Sequence, residues 1–295
     1  MKLQTNDQKT RPQPLRSPEP QAALLPQPTT HPHDVSACGR LRSSGEGERG
    51  AKWLGTEPVS EYVLVAAMPG NRRTDAISTR DLEVLGFIAR FGVIPREVVA
   101  SWAGTGRAVS AARERRLGVA GLIEVAPGIG DSGRLVSVTR SGLRSIARED
   151  LPVPRLSYDT LAHSTVLARV AVELEHAGHC VLSERELLAR ERIEGKRIYS
   201  AEQIRGGYHR PDLVLLGDPP TAIEVELTAK APYRLDRLLR SWRRAVAAKQ
   251  FGHVRYLCSA DALGALERSA RRTRTAEVVA VERIDESKIP GPYIR

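Results

Sequence analysis

From residue 82 apolar positions recur every three to four residues, and near residue 122 that spacing gives way to alternation. Leu82, Leu85, Ile88 and Ala89 trace one face of a helix that Ser78 or Thr79 can cap and Gly92 ends. Pro95 falls in the first turn of a second, short helix, where its missing N–H costs nothing; Val98, Val99 and Trp102 are its apolar positions. Gly104-Thr105-Gly106 makes a turn. A third helix is expected from about Arg107 to Leu117, with Gly118 stopping it. Leu122 to Val125 and Leu135 to Val138 then read as two strands around a tip holding Gly128, Gly130 and Gly133, and Thr139 to Leu143 opens a closing helix.

Three helices followed by a hairpin predict a winged helix-turn-helix over residues 76–150, the arrangement that sets one helix in the major groove and a wing on the backbone. Arg107, Arg113, Arg115 and Arg116 on the third helix and Arg134 at the wing are the expected DNA contacts. Winged helices also serve as protein–protein modules, and the arginines favour DNA over that use.

Leu151-Pro152-Val153-Pro154 reads as a proline-stiffened linker to a second domain over residues 151–285. Asp159 is expected to cap a long helix to about Ala177, with Leu167, Val170 and Leu174 on one face, and His179 to Leu182 reads as a strand. Residues 184–207 read as a helix followed by a solvated loop. Two strands at 213–216 and 223–228 follow, then a basic helix from about Arg234 to Lys249 and a strand from Val254 to Cys258. A helix from Asp261 to Ser269 and a strand from Glu277 to Val281 close the domain. The fold class is therefore α+β or α/β.

The two middle strands carry the chemistry. Leu213 to Leu216 is an unbroken apolar run, as in a strand buried on both faces. Ile223, Val225 and Leu227 then alternate with Glu224, Glu226 and Thr228. Two glutamates on one strand face beside a buried neighbour repel, and burying them is costly without a cation or hydrogen bonds to compensate. With Asp212 at the start of the preceding strand, Asp212, Glu224 and Glu226 can converge on a hard divalent cation, Mg²⁺ or Mn²⁺. Arg237, Arg240 and Arg244 are spaced to share one helical face and seat a phosphate backbone, against the plainer reading of a solvated basic face. His163 reads as a satisfied core histidine and His209 as a cap on its strand.

Composition narrows the partners. Net charge is +10 and the excess is mostly arginine, whose planar fork suits phosphate; double-stranded DNA is the expected partner. Aromatics are only 4%, which argues against a base-stacking platform. Cys38, Cys180 and Cys258 form neither a disulfide framework nor a zinc spacing, so a reducing cytoplasm is the simplest location. No apolar run approaches a membrane span. A homodimer on a palindrome is common among winged helices, though no coiled-coil seam supports one here. Residues 1–75 are Pro-, Gln- and Ser-rich and read as a disordered tail, and residues 286–295 as an irregular one. Met68 is the only methionine besides Met1, so either translation starts at Met68 or the tail is genuine; both readings stay open.

The second half, with Pro211-Asp212 on its second strand and Glu224 on its third, resembles the αβββαβ core of the restriction-endonuclease-like, PD-(D/E)xK superfamily. The resemblance implies acids that hold Mg²⁺ and a lysine that orients the attacking water. Glu226 stands in the lysine position, which is a departure; Lys230, on the same strand parity if the strand continues, or Arg237 is the substitute. Together with the winged helix, Arg210-Pro211-Asp212 and Ile223-Glu224-Val225-Glu226-Leu227-Thr228-Ala229-Lys230 look like the replication-relaxation family of plasmid and mobile-element proteins. That resemblance implies a role in replication of a mobile element and in the topological state of its DNA, with metal-dependent nicking or, alternatively, binding on a vestigial nuclease fold.

Overall fold

Ser78 starts the first helix by a reciprocal capping box with Asp81: its hydroxyl accepts from the Asp81 N–H, and the Asp81 carboxylate accepts from the Ser78 N–H. The computed structural model describes residues 76–128, 133–203 and 206–285. The expected tails at 1–75 and 286–295, with Met68, lie outside the described residues.

Helix α1 (Thr79–Phe91) ends at Gly92, whose φ of +84° is a conformation that glycine adopts readily. An unforeseen strand follows, β1 (Val93–Pro95), so Pro95 caps α2 (Arg96–Trp102) from outside its first turn. Helix α3 (Arg107–Val119) runs through Gly118, and the chain turns at Gly121 with φ +68°. Strands β2 (Ile123–Pro127) and β3 (Arg134–Val138) form the expected hairpin, and β1 adds to it in the order β1-β3-β2. Thr139 caps α4 (Arg140–Ser145) through its side-chain oxygen.

Ser157, not Asp159, precedes the first turn of α5 (Tyr158–His176). Next come β4 (Val181–Ser183) and α6 (Glu184–Glu194), the latter opened by a second capping box between Ser183 and Glu186. Part of the expected loop is an antiparallel hairpin, β5 (Ala201–Glu202) with β6 (Tyr208–His209). Strands β7 (Leu213–Leu215) and β8 (Thr221–Glu226), helix α7 (Pro232–Ala247), β9 (His253–Cys258), α8 (Ala260–Thr273) and β10 (Val279–Arg283) complete the chain. The main sheet is mixed, in the order β10-β9-β8-β7-β4: β7 is antiparallel to both neighbours, and β8, β9 and β10 are parallel.

Both faces of that sheet are covered. Leu213, Ile223 and Val225 face α5 in a core that continues through Ile94 into Leu85 and Ile88 of α1. Val214, Ala222, Val254 and Tyr256 face α7 and α8 on the other side. All six positions of β8 are therefore buried, although its residues alternate between faces as expected.

The two halves of the described chain share one core rather than meeting across a free hinge. Arg90 of α1 is ion-paired to Glu175 of α5 and to Glu186 of α6, and donates to the Val181 carbonyl at 2.6 Å. Trp102 donates from Nε1 to Glu175 at 2.7 Å. The prolines of the linker are held as well: Leu151 is buried, and Arg185 donates to the carbonyls of Ala89 and Pro152.

Candidate functional site

Pairing sets the acids side by side. Leu213 lies opposite Ile223, so one step further Asp212 falls opposite Glu224. The Val225 N–H donates to Asp212 Oδ2 at 2.7 Å, which fixes that carboxylate at the mouth of β7. On β9, Tyr256 lies beside Glu224 and Cys258 beside Glu226. Both glutamates are thus on the α7 side of the sheet, 5% and 4% exposed, at a depth where a lone carboxylate is strongly disfavoured.

Each acid has its own base. His163 of α5 sits with Nε2 3.3 Å from Asp212 Oδ2 and 3.2 Å from the Val225 carbonyl oxygen. A carbonyl only accepts, so Nε2 carries the proton and shares it between the two. His209 of β6 sits with Nε2 2.9 Å from Glu224 Oε1, its ring edge-on to Trp242. Lys230 is ion-paired to Glu226. The expected strand parity does not bring it there: β8 stops at Glu226, and Lys230 comes back over the site from the connection to α7.

The electrostatics follow from burial and pairing. Burial pushes the Glu224 carboxyl up, and although His209 opposes the shift it settles at about 7. Burial pulls the His209 imidazole down, but the Glu224 carboxylate overrides it and the net shift is upward. His163 behaves alike: burial lowers it, and the hydrogen bond and charge of Asp212 raise it further than that. Glu184, at the start of α6, keeps much of its surface in solvent; partial burial and then the Asp212 charge raise its carboxyl. Cys258 is pushed up to about 12 by burial and by Glu226, so it stays a thiol.

Glu184 has no motif to announce it; its only sequence signal is its place directly after a strand. The histidines were visible as residues, but their roles were not. His163, expected as a core histidine, is only half-buried and bonds an acid of the site, and His209 holds a glutamate rather than capping a strand.

Asp212, Glu224 and Glu226 are the hard oxygen donors that Mg²⁺ or Mn²⁺ prefers. In the arrangement seen, no three His, Cys, Asp or Glu side chains among the described residues are gathered closely enough to hold an ion. Binding one requires the acids to be drawn together, and His209 and Lys230 compete for one oxygen each of Glu224 and Glu226. The donor chemistry fits a divalent cation, and the side-chain pairing is that of acids already neutralised.

The arginines separate into two kinds. Arg113 and Arg116, expected on DNA, instead clasp the fully buried Asp81 of α1: Arg113 Nε is 2.9 Å from Oδ1, and Arg116 reaches both oxygens at 2.8 and 2.9 Å. Arg134 at the start of β3 lies 3.3 Å from Glu114 of α3 and keeps 58% of its side chain exposed. Arg107 and Arg115 are exposed on α3 with no partner among the described residues. On α7, Arg240 is exposed near Asp236 (3.9 Å), and Arg244 donates to the Glu202 carbonyl at 2.7 Å. Arg237 is half-buried, with its Nε unpaired among the described residues.

No helix among the described residues is long and apolar enough to cross a membrane. No protein-family model matches the chain and no curated protein matches it, so the likeness to the replication-relaxation family rests on the motifs quoted above.

Proposed function

We propose that this chain is a DNA-binding protein of a plasmid or other mobile element, acting in its replication or in the relaxation of its DNA. In this reading α1 to α4 with the β2–β3 wing engage duplex DNA, and the second half engages the backbone nearby and nicks it. One observation carries the proposal: Asp212, Glu224 and Glu226 meet His163, His209 and Lys230 at the adjoining ends of β7 and β8. A sheet needs no such cluster for stability, because well-packed apolar residues would serve as well or better. The order α5, β4, β7, β8, α7, β9, with α6 and the β5–β6 hairpin inserted after β4, supports a restriction-endonuclease-like core.

Asp212 and Glu224, with Glu226, are the residues to hold the divalent ion, which when bound lowers the pKa of a water and offsets phosphate charge. Lys230 is the cation nearest the acids and the one to face the phosphate. His163 orients Asp212 by sharing its proton with that carboxylate and the Val225 carbonyl.

A second reading is favoured by a different observation. Each acid already has a base of its own, and a cluster neutralised in this way supports a binding protein on a vestigial nuclease fold.

Supercoiled plasmid incubated with the full chain in Mn²⁺, Mg²⁺ or EDTA separates the two, beside Asp212→Asn and Glu224→Gln. Conversion to open circle that needs the metal and both acids is the expected result. Intact supercoils with duplex binding retained would leave the binding-only reading.

A further inference from the structure

Behind the acid–base cluster, on the outer side of β6, a cavity of about 490 Å³ opens against the end of α6. Its wall includes Glu191, Arg192, Arg197, Tyr208 and Arg210, three guanidiniums against one carboxylate. That carboxylate is already engaged: Glu191 accepts from Arg210 Nε at 2.8 Å and from the Ser200 hydroxyl. The Arg210 side chain is therefore oriented, and its terminal nitrogens have no partner among the described residues. The Arg197 guanidinium lies 4.1 Å from the Tyr208 ring centroid, which steadies a long side chain at the cavity wall. Arg192 is exposed and makes no ion pair among the described residues.

Two of these arginines are thus held in place with donors to spare, and a third is free. Planar forks of this kind match a phosphate by two parallel hydrogen bonds, and little side-chain freedom remains to be lost when an anion arrives. The size of the cavity is that of a small-ligand site. It also has a fixed relation to the cluster. Tyr208 and Arg210 line the cavity while His209 between them turns to Glu224, as alternation along an extended segment requires.

We infer that this cavity binds the phosphate of a nucleotide unit, carried by a nucleic-acid strand or by a free nucleotide. The inference rests on the reading of the chain as a nucleic-acid protein but not on cleavage, because none of its residues belongs to the acid–base cluster.

The test is fluorescence anisotropy of a labelled oligonucleotide, single-stranded and duplex, titrated with the full chain and competed with a nucleoside monophosphate. Arg192→Ala with Arg197→Ala is compared with Arg268→Ala with Arg271→Ala, which removes the same charge from the exposed face of α8. The cavity variant is expected to weaken binding about tenfold more than the α8 variant and to flatten the salt dependence by about one unit per lost phosphate contact. Tyr208→Leu, which frees Arg197 without changing charge, is expected to give a smaller loss in the same direction. Competition by the free nucleotide, lost in the cavity variant, assigns the small ligand; oligonucleotide binding without such competition assigns the strand. Equal loss in the two double variants would overturn the inference, and so would a chain that binds neither probe. If the cavity variant matches the α8 variant while Arg107→Ala with Arg115→Ala abolishes duplex binding, the inference fails and the DNA-binding reading stands.

Discussion

Arg113 and Asp81 form an ion pair at 2.9 Å across 32 residues of sequence, between α3 and α1. Burial pushes the Asp81 carboxyl up, and Arg116, Ser78 and Arg113 more than reverse it, to about 2. A lowered carboxyl contributes stability that is present above its unfolded value near 3.8 and is lost as pH falls through 2. Removing the acid strands two largely buried guanidiniums. Asp81→Ala is expected to lose about 3 kcal/mol or more in urea unfolding at neutral pH. A loss under ~1 kcal/mol would contradict this role.

The same pair leaves Arg107 and Arg115 as the exposed arginines of α3 for the proposed DNA contact. Arg107→Ala with Arg115→Ala should weaken duplex binding without moving the melting temperature, since both side chains are exposed. Arg113→Ala should lower the melting temperature first. Mobility-shift titration beside thermal melts distinguishes them; unchanged duplex affinity in the Arg107 and Arg115 variant would remove α3 from the DNA interface.

His209 and Glu224 hold a proton that the unfolded chain would release. Glu224 is raised from 4.5 to about 7 and His209 is raised above 6.5, so the folded state binds more protons than the unfolded state in this range. Stability at this pair therefore falls as pH rises from about 4.5 through 7, by at most on the order of 3 kcal/mol. In Glu224→Gln the glutamate no longer titrates and His209 loses the charge that raised it. Unfolding free energies from pH 5 to 8 should then slope less steeply than in the parent, and parallel slopes would refute the pairing.

Arg90 ties three helices together through Glu175 and Glu186. Arg90→Met takes the guanidinium from two partly buried acids, leaving Trp102 on Glu175 and Ser183 and Arg148 on Glu186, for a loss of about 3 kcal/mol. Arg90→Lys should recover only part of it, because an ammonium cannot span both carboxylates as the fork does. The shared core also predicts that tryptophan fluorescence and far-UV dichroism report one urea transition for both halves; two separated transitions would count against it.

Gly142, in the first turn of α4, passes so close to the Leu122 carbonyl that an added Cβ would lie 2.1 Å from its oxygen. Gly142→Ala should therefore cost about 1–3 kcal/mol despite the better helix propensity of alanine. A neutral or stabilising result in chemical denaturation would show that the turn can give way.

Much of the architecture was legible because it depends on neighbours in sequence. Ser78 and Gly92 bracket α1 through bonds within three or four residues. The β2–β3 pair follows from two apolar runs around a glycine-rich stretch. The burial of Glu224 and Glu226 was foreshadowed by their place on a strand beside an unbroken apolar one. Two features escaped for the same reason in reverse. Strand β1 is three residues long and exists because Val93 to Pro95 pair with Leu135 to Ser137. The β5–β6 hairpin lies in an arginine- and glutamate-rich stretch with no apolar alternation to mark it.

The sequence alone determined the helices and the longer strands, the excess of arginine, and the placing of three carboxylates on adjoining chain segments, since periodicity, capping and charge are local properties. Tertiary structure decided which charges remain for a partner. Arg113 and Arg116 are drawn to Asp81, His163 comes from 62 residues away to bond the Val225 carbonyl beside Asp212, and His209 closes on Glu224. A buried carboxylate takes whichever base the packing of the chain brings within hydrogen-bond reach, and spacing along the sequence does not encode that choice.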